Sequence, residues 1–211
     1  MINILLATSN PGKFFRYKKL LETEKIKFYN CKDIGLALPT IEEDMDTEKE
    51  NSILKAKGYY DQLISSEIEL PKGKWLTLAL DTGLYFDKVN RLEQPGAHIK
   101  KLAGAGVFGE VQEETFQKMA VFYSSLAKKY GGLINGYFQD VFTLYDGINL
   151  TSTESRRNIS LVDTQYFKDL NFPIASFLKV GDKYFHEFTD QDYLNYLDPS
   201  YQAIKKLVAL V

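Results

Sequence analysis

The hexapeptide Thr8-Ser9-Asn10-Pro11-Gly12-Lys13 places hydroxyls, an amide, a glycine and a lysine between an apolar run and an amphipathic one. If the first run is a strand and the second a helix, the loop ends at a helix start. Unpaired N–H groups and a partial positive charge favour phosphate there. Gly12 lets the backbone come close, Lys13 adds a point charge, and Thr8, Ser9 and Asn10 add polar contacts. The spacing is not that of a P-loop, which needs a second glycine and a lysine followed by Ser or Thr. The same residues also serve as an ordinary turn with a helix cap.

Carboxylates supply the second kind of chemistry. Asp81 follows the apolar run 75–80 directly. A carboxylate at a strand end is held rigidly enough to bind a divalent cation or to orient an attacking water; it can equally make local turn bonds. Glu42, Glu43, Asp44, Asp46, Glu48 and Glu50 form a dense acidic stretch. Most of these belong to solvent near a helix start, where negative charge is favourable, and one or two are candidate ligands. Lys55 lies one helical turn after Asn51 on the same face, within reach of a phosphate or of solvent. His98 and His186 are too isolated for a histidine metal site, Arg156-Arg157 is a small basic spot in a predicted loop, and no Ser-His-Asp arrangement is evident.

These residues need elements to hold them. Ile2–Ala7 predicts a buried strand, residues 14–22 a helix and 25–29 a second strand, followed by an irregular acidic connection over 33–46. Residues 47–64 predict a helix whose apolar stripe is Ile53, Leu54, Ala56, Tyr60 and Leu63. Residues 75–80 predict a strand ending at a small turn, Asp81-Thr82-Gly83, with 84–86 opening a hairpin. Residues 94–97 are a turn, and 113–130 a helix closed by Gly131-Gly132. Strands are expected over 138–145 and 158–162, a hairpin around Gly181-Asp182 from 177–180 and 184–188, and a last helix over 199–211. Strands and helices mix throughout, which predicts an α/β fold. No repeat or linker divides the chain, so residues 1–211 are expected to form a single domain.

The chain has 26 basic and 28 acidic side chains, a net charge of -2. That balance argues against a general grip on nucleic acid, which needs a basic surface. Cys31 is the only cysteine, which fits a reducing compartment. The amino terminus lacks the pattern of a signal peptide, and no apolar run approaches the roughly 20 residues of a membrane span. A cytoplasmic protein without membrane partners is expected.

In order, four segments resemble the inosine triphosphate pyrophosphatase family: Leu6-Ala7-Thr8-Ser9-Asn10-Pro11-Gly12-Lys13; Glu43 with Glu50-Asn51-Ser52-Ile53-Leu54-Lys55-Ala56; Leu78-Ala79-Leu80-Asp81-Thr82-Gly83-Leu84; and Pro95-Gly96-Ala97-His98-Ile99-Lys100. The resemblance covers the first half of the chain. It implies a two-lobed α/β structure around a long mixed sheet with flanking helices and a central nucleotide cleft. It also implies a homodimer and magnesium-dependent (Mg2+) hydrolysis of a nucleoside triphosphate, such as ITP, dITP or XTP, to monophosphate and pyrophosphate. Thr8, Ser9, Asn10, Pro11, Gly12 and Lys13 would then hold the triphosphate. Glu43 and Asp81 would hold the metal, Asp81 would also take the proton of the attacking water, and Lys55, Thr82 and Lys100 would contact substrate.

The chain departs from that family in three places. Leu80 stands where an acid usually precedes Asp81. Asp169-Leu170-Asn171-Phe172-Pro173 keeps only the proline of an aromatic and acidic motif. Near the carboxyl end, Tyr196-Leu197-Asp198-Pro199-Ser200-Tyr201 has neither the His nor the Arg that would contact a base. The phosphate and metal half of the site is kept, whereas the half that reads a purine edge is rewritten. A nucleotide-binding protein with altered base specificity or lost catalysis is the alternative expectation.

Overall fold

Strand β1 (Ile2–Ala7) is apolar at nearly every position and buried from Asn3 onward, as an interior parallel strand must be. The computed structural model describes residues 1–105, 112–163 and 178–211. In it β1 pairs in parallel with β2 (Ile26–Tyr29), Ile4 opposite Phe28, and with β3 (Lys74–Phe86), Leu6 opposite Leu78. With β4 (Leu133–Tyr145), β5 (Leu150–Val162), β6 (Leu178–Val180) and β7 (Lys183–Tyr184), the seven-stranded order is β2-β1-β3-β4-β5-β6-β7. The β5–β6 and β6–β7 pairs are antiparallel, so the open sheet is mixed. Among the described residues the α-helices are α1 (Pro11–Leu21), α2 (Glu48–Ser65), α3 (Ile99–Leu102), α4 (Gln112–Lys129) and α5 (Asp190–Val208). The α/β expectation holds.

Four local expectations need correction. β3 does not stop at Asp81; it runs through Asp81-Thr82-Gly83 to Phe86. Buried Leu84 and Phe86 continue the strand, and Leu84 exchanges both backbone hydrogen bonds with Gly96 at 2.9 Å. On α2 the buried apolar residues are Ala56, Tyr59 and Leu63, while Ile53, Leu54 and Tyr60 are half-buried. The rest of that buried face is polar, namely Glu48, Asn51, Ser52 and Lys55. β5 begins at Leu150, in a polar stretch whose side chains stay largely outside the core. Finally, α5 begins at Asp190 and contains Pro199. Proline usually marks a helix boundary, but here Thr189 and Asp192 cap an earlier start through reciprocal bonds of 3.2 and 2.9 Å.

The chain folds as two compact units. The first comprises residues 1–82, 140–155 and 200–211, the second residues 83–139 and 156–199. The first is centred on Leu5, Ala7, Ala56, Tyr59, Leu63, Trp75 and Ala79. There Tyr17 of α1 meets Phe142 and Tyr201 edge-on, at centroid distances of 5.9 and 6.4 Å. The second has its own core around Leu84, Phe86, Tyr123, Leu126, Phe138, Leu161 and Phe185. Fully burying a side chain such as Leu63 or Leu161 contributes about 2 kcal/mol. Among the described residues, no helix is long and apolar enough to cross a membrane.

Candidate active site

Asn10 shapes the start of α1. Its side-chain oxygen accepts a hydrogen bond from Lys13 N–H at 3.1 Å, and Pro11 opens the helix without an N–H to satisfy. A Cβ on Gly12 would lie 3.2 Å from that same Asn10 oxygen, so glycine leaves room for the cap. Thr8 Oγ1 accepts from Asn10 N–H at 3.1 Å. No acidic residue occupies the first turn of α1, which leaves its positive end uncompensated from within the helix. Thr8 and Lys13 are half-buried; Ser9, Asn10, Pro11 and Gly12 are exposed.

Polar tethers dock α2, and they position Lys55. Thr77 Oγ1 on β3 donates to the Ala56 carbonyl at 2.7 Å, and the Ser52 and Thr143 hydroxyls lie 2.6 Å apart. Asn51 clamps the backbone of Met45, accepting from its N–H at 3.1 Å and donating to its carbonyl at 3.3 Å. A Cβ on Gly58 would come within 2.8 Å of Ile41. Asn51 and Gly58 thus let the acidic connection lie against α2, and Glu43 reaches Lys55. The Lys55 ammonium sits 2.8 Å from Glu43 Oε2 and 2.8 Å from Asp81 Oδ1.

Asp81 is buried within β3. Its Oδ1 takes Lys55, whereas its Oδ2 is buried with no hydrogen-bond partner among the described residues. Burial pushes the Asp81 carboxyl above its ordinary value, and the Lys55 charge and hydrogen bond only partly reverse this. Lys13 is held below the usual lysine range, first by burial and then by Lys55. Asp140, Asp81 and Glu43 oppose that shift. The fold therefore gathers Lys13, Lys55, Glu43 and Asp81 into one electrostatic cluster within the first unit.

Thr82, next along β3, donates its hydroxyl proton to Asp140 Oδ1 at 2.8 Å. Asp140 is almost fully buried and also receives Ser200 Oγ at 2.5 Å. The sequence reading missed Asp140, whose signal is an acid set in the otherwise apolar stretch ending β4; it also missed the Asn51 clamp. Lys100 is on α3, exposed, in the second unit. Tyr201 is buried in the first unit's core and Ser200 is engaged by Asp140. Arg156 and Arg157 lie in a strand rather than the predicted loop, over the rings of Tyr137 and of Phe138 and Tyr196. The segment 169–173 lies outside the described residues. Among those residues, no group of three or more His, Cys, Asp or Glu side chains forms a metal cage. A cavity of about 360 Å³ in the second unit is lined by Asp87, Asn135, Tyr137, Asn158 and Ser160 among others, none of them cationic. That lining is unsuited to a triphosphate, so the charged cluster is the better candidate.

Fold and cluster together define an α/β protein with a lysine-bridged carboxylate pair in the same unit as a capped helix start. The chain belongs to the Ham1 family, whose model matches residues 4–152. A dITP/XTP pyrophosphatase of Thermoanaerobacter sp. (strain X514) is 27% identical over 118 residues, 56% of this chain and 53% of that protein. Another from Nautilia profundicola (strain ATCC BAA-1463 / DSM 18972 / AmH) is 30% identical over 143 residues, 62% and 66% of the two chains. The chain thus spans between about half and two thirds of the length of these relatives. A HAM1 protein from Coxiella burnetii has the same fold, with a TM-score of 0.74 at 19% identity over 100% of both chains. The resemblance to the inosine triphosphate pyrophosphatase family is borne out.

Proposed function

We propose that this protein hydrolyses a nucleoside triphosphate, of the non-standard purine class of ITP, dITP and XTP, to monophosphate and pyrophosphate in a magnesium-dependent reaction. The observation that carries the proposal is the Lys55 bridge between Glu43 and Asp81, with the second Asp81 oxygen buried and unpartnered among the described residues. The names of the relatives support the same reaction.

A hard cation on a polyphosphate takes one or two carboxylates and completes its shell with phosphate and water oxygens. Glu43 and Asp81 fit that requirement, because each still has an oxygen not taken by Lys55. Magnesium held there would neutralise charge on the phosphoryl oxygens. The chain's own groups account for the rest. The capped start of α1 and Lys13 hold the phosphates, while Thr8, Ser9 and Asn10 line their approach. Lys13 and Lys55 offset the charge growing on the departing pyrophosphate. Water attacks the α-phosphorus, the bond to the bridging oxygen breaks, and pyrophosphate leaves with the bonding electrons. Asp81, as the carboxylate nearest the attacking water in this reading, takes its proton. Thr82 and Lys100 are the further residues assigned to substrate. The protein is taken to act as a homodimer in the cytoplasm.

The test is a pyrophosphate-release screen with magnesium across standard and deaminated nucleoside triphosphates. Turnover should be found and should fall at least about 100-fold in Asp81→Asn. Absence of release with every triphosphate rejects the proposal, and unchanged turnover in Asp81→Asn rejects the role of that residue.

A further inference from the structure

Asp140 has a place in the fold that none of the motifs anticipated. Its carboxylate is almost fully buried and accepts from two hydroxyls, Thr82 Oγ1 at 2.8 Å and Ser200 Oγ at 2.5 Å. Ser155 Oγ in turn donates to Ser200 Oγ at 3.1 Å. The donors run in one direction, Ser155 to Ser200 to Asp140, with Thr82 entering from the other side. Hydroxyl chains that end on a carboxylate are polarised along their length. Thr82, Asp140, Ser155 and Ser200 are also the four residues at which the chain leaves or re-enters the first unit. The network therefore pins four segment ends that lack continuous neighbours within that unit.

A hydroxyl has one proton and two lone pairs. Thr82 spends its proton on Asp140, so what remains for a ligand is acceptor capacity alone. We propose that Asp140 is a positioning residue that turns Thr82, the residue after Asp81 on β3, into a fixed hydrogen-bond acceptor on the sheet face opposite the Asp81 carboxylate. Thr82 then serves a donor, such as a water molecule or an ammonium group, and not a phosphate oxygen. This rests on the pyrophosphatase reading for its setting but not for its geometry. Lys13 lies within the electrostatic reach of the same carboxylate.

The experiment compares the full chain with Asp140→Asn, Thr82→Val, the Asp140→Asn/Thr82→Val double variant and Thr82→Ser. Asn keeps the volume of Asp and can pair with both hydroxyls, so folding is checked by thermal melting before any other measurement. Two readouts are taken: kcat and KM for dITP with magnesium, and calorimetric binding of the α,β-imido analogue of dITP, in which the bond to be cleaved is blocked, with magnesium. Asp140→Asn and Thr82→Val should each lower kcat about tenfold with KM changed less than about twofold, the loss of one oriented charge-assisted hydrogen bond. The double variant should lose no more than the worse single one, because Asp140 acts through Thr82. Thr82→Ser should recover most of the activity. Additive losses, or a lowered melting temperature in Asp140→Asn with kcat unchanged, overturn the proposal. If the wild-type chain shows no turnover, the pyrophosphatase reading fails by itself. The positioning role is then judged on analogue binding, where non-additivity between the two positions supports it and independence overturns it.

Discussion

Asp81, Glu43 and Lys55 concentrate charge where apolar side chains would be more stabilising. Taking a lysine and a carboxylate out of water costs more than their attraction returns unless every group is satisfied, and Asp81 Oδ2 has no hydrogen-bond partner among the described residues. The consequence can be signed. The folded Asp81 carboxyl binds its proton more tightly than in the unfolded chain. Its contribution to stability is therefore full below the unfolded value and is lost as pH rises through the folded one. At pH 7 Asp81 is a net cost, so Asp81→Asn should melt at a temperature equal to or above wild type while losing activity. The gap should close as the pH is lowered toward the ordinary carboxylate range; a clearly lower melting temperature at pH 7 would show the bridge to be stabilising. Cys31 is a second case of burial. Its thiol is pushed up to about 11, so little thiolate exists near neutrality. A thiol reagent at pH 8 should label native protein slowly and urea-unfolded protein fast; equal rates would refute the shift. These residues differ in how readable they were. Lys13, Glu43, Lys55 and Asp81 belong to short motifs and could be named in advance. The role of Asp140 could not, because its partners Thr82 and Ser200 are distant in sequence and meet it only through strand and helix pairing.

At the scale of elements, the loop carrying Glu43 is held by a helix side chain and not by its own composition. Asn51→Ala should free the Met45 N–H and carbonyl, costing about 1–2 kcal/mol, and should lower pyrophosphate release by a larger factor than stability alone explains. Urea unfolding and kinetics on the same preparation separate the two, and full activity with reduced stability would detach the loop from the site. Gly136 is a tight point in the second unit, since an added Cβ would collide with the Tyr85 carbonyl and crowd Phe86. Backbone cannot move aside as a flexible side chain does, so Gly136→Ala should cost about 1–3 kcal/mol or more, read as a shift of the urea midpoint. A neutral substitution would mean that the strands part easily. The strands also show where pattern reading stops. Ile2–Ala7 was legible from end to end because a strand buried on both faces is simply apolar. β3 was legible only as far as Leu80, because Asp81-Thr82-Gly83 has the composition of a turn and becomes strand through its neighbours. β5 was read only from 158 onward, since pairing of the backbone, and not burial of side chains, makes residues 150–157 a strand.

Over the whole molecule, the mixture of strands and helices was enough to predict an α/β fold, and near-neutral charge was compatible with it. The division into two units was implied by the family resemblance alone and not by pattern or composition, because each unit is assembled from segments far apart in the chain. Each unit nevertheless carries its own acid-sensitive carboxylate. In the first, Asp146 closes the turn between β4 and β5, accepting from Asn149 N–H at 2.7 Å, Ile148 N–H at 3.1 Å and Lys74 at 2.9 Å. Those bonds, led by the one from Asn149, hold its carboxyl well below the usual carboxylate range. In the second, Asp192 is drawn down to about 2 by the Thr189 N–H and hydroxyl and by Lys183. Both are more acidic folded than unfolded. Their contribution is present above the unfolded value of about 4 and is lost as pH falls through the folded values. The melting temperature should therefore hold above about pH 5 and decline steadily toward pH 2. Asp146→Asn keeps the side chain's size but loses the charge, so it should melt lower at pH 7 and decline less on acidification. Asp192→Asn should act in the same direction. A variant that matched wild type at both ends of the titration would place the source of acid sensitivity elsewhere in the chain.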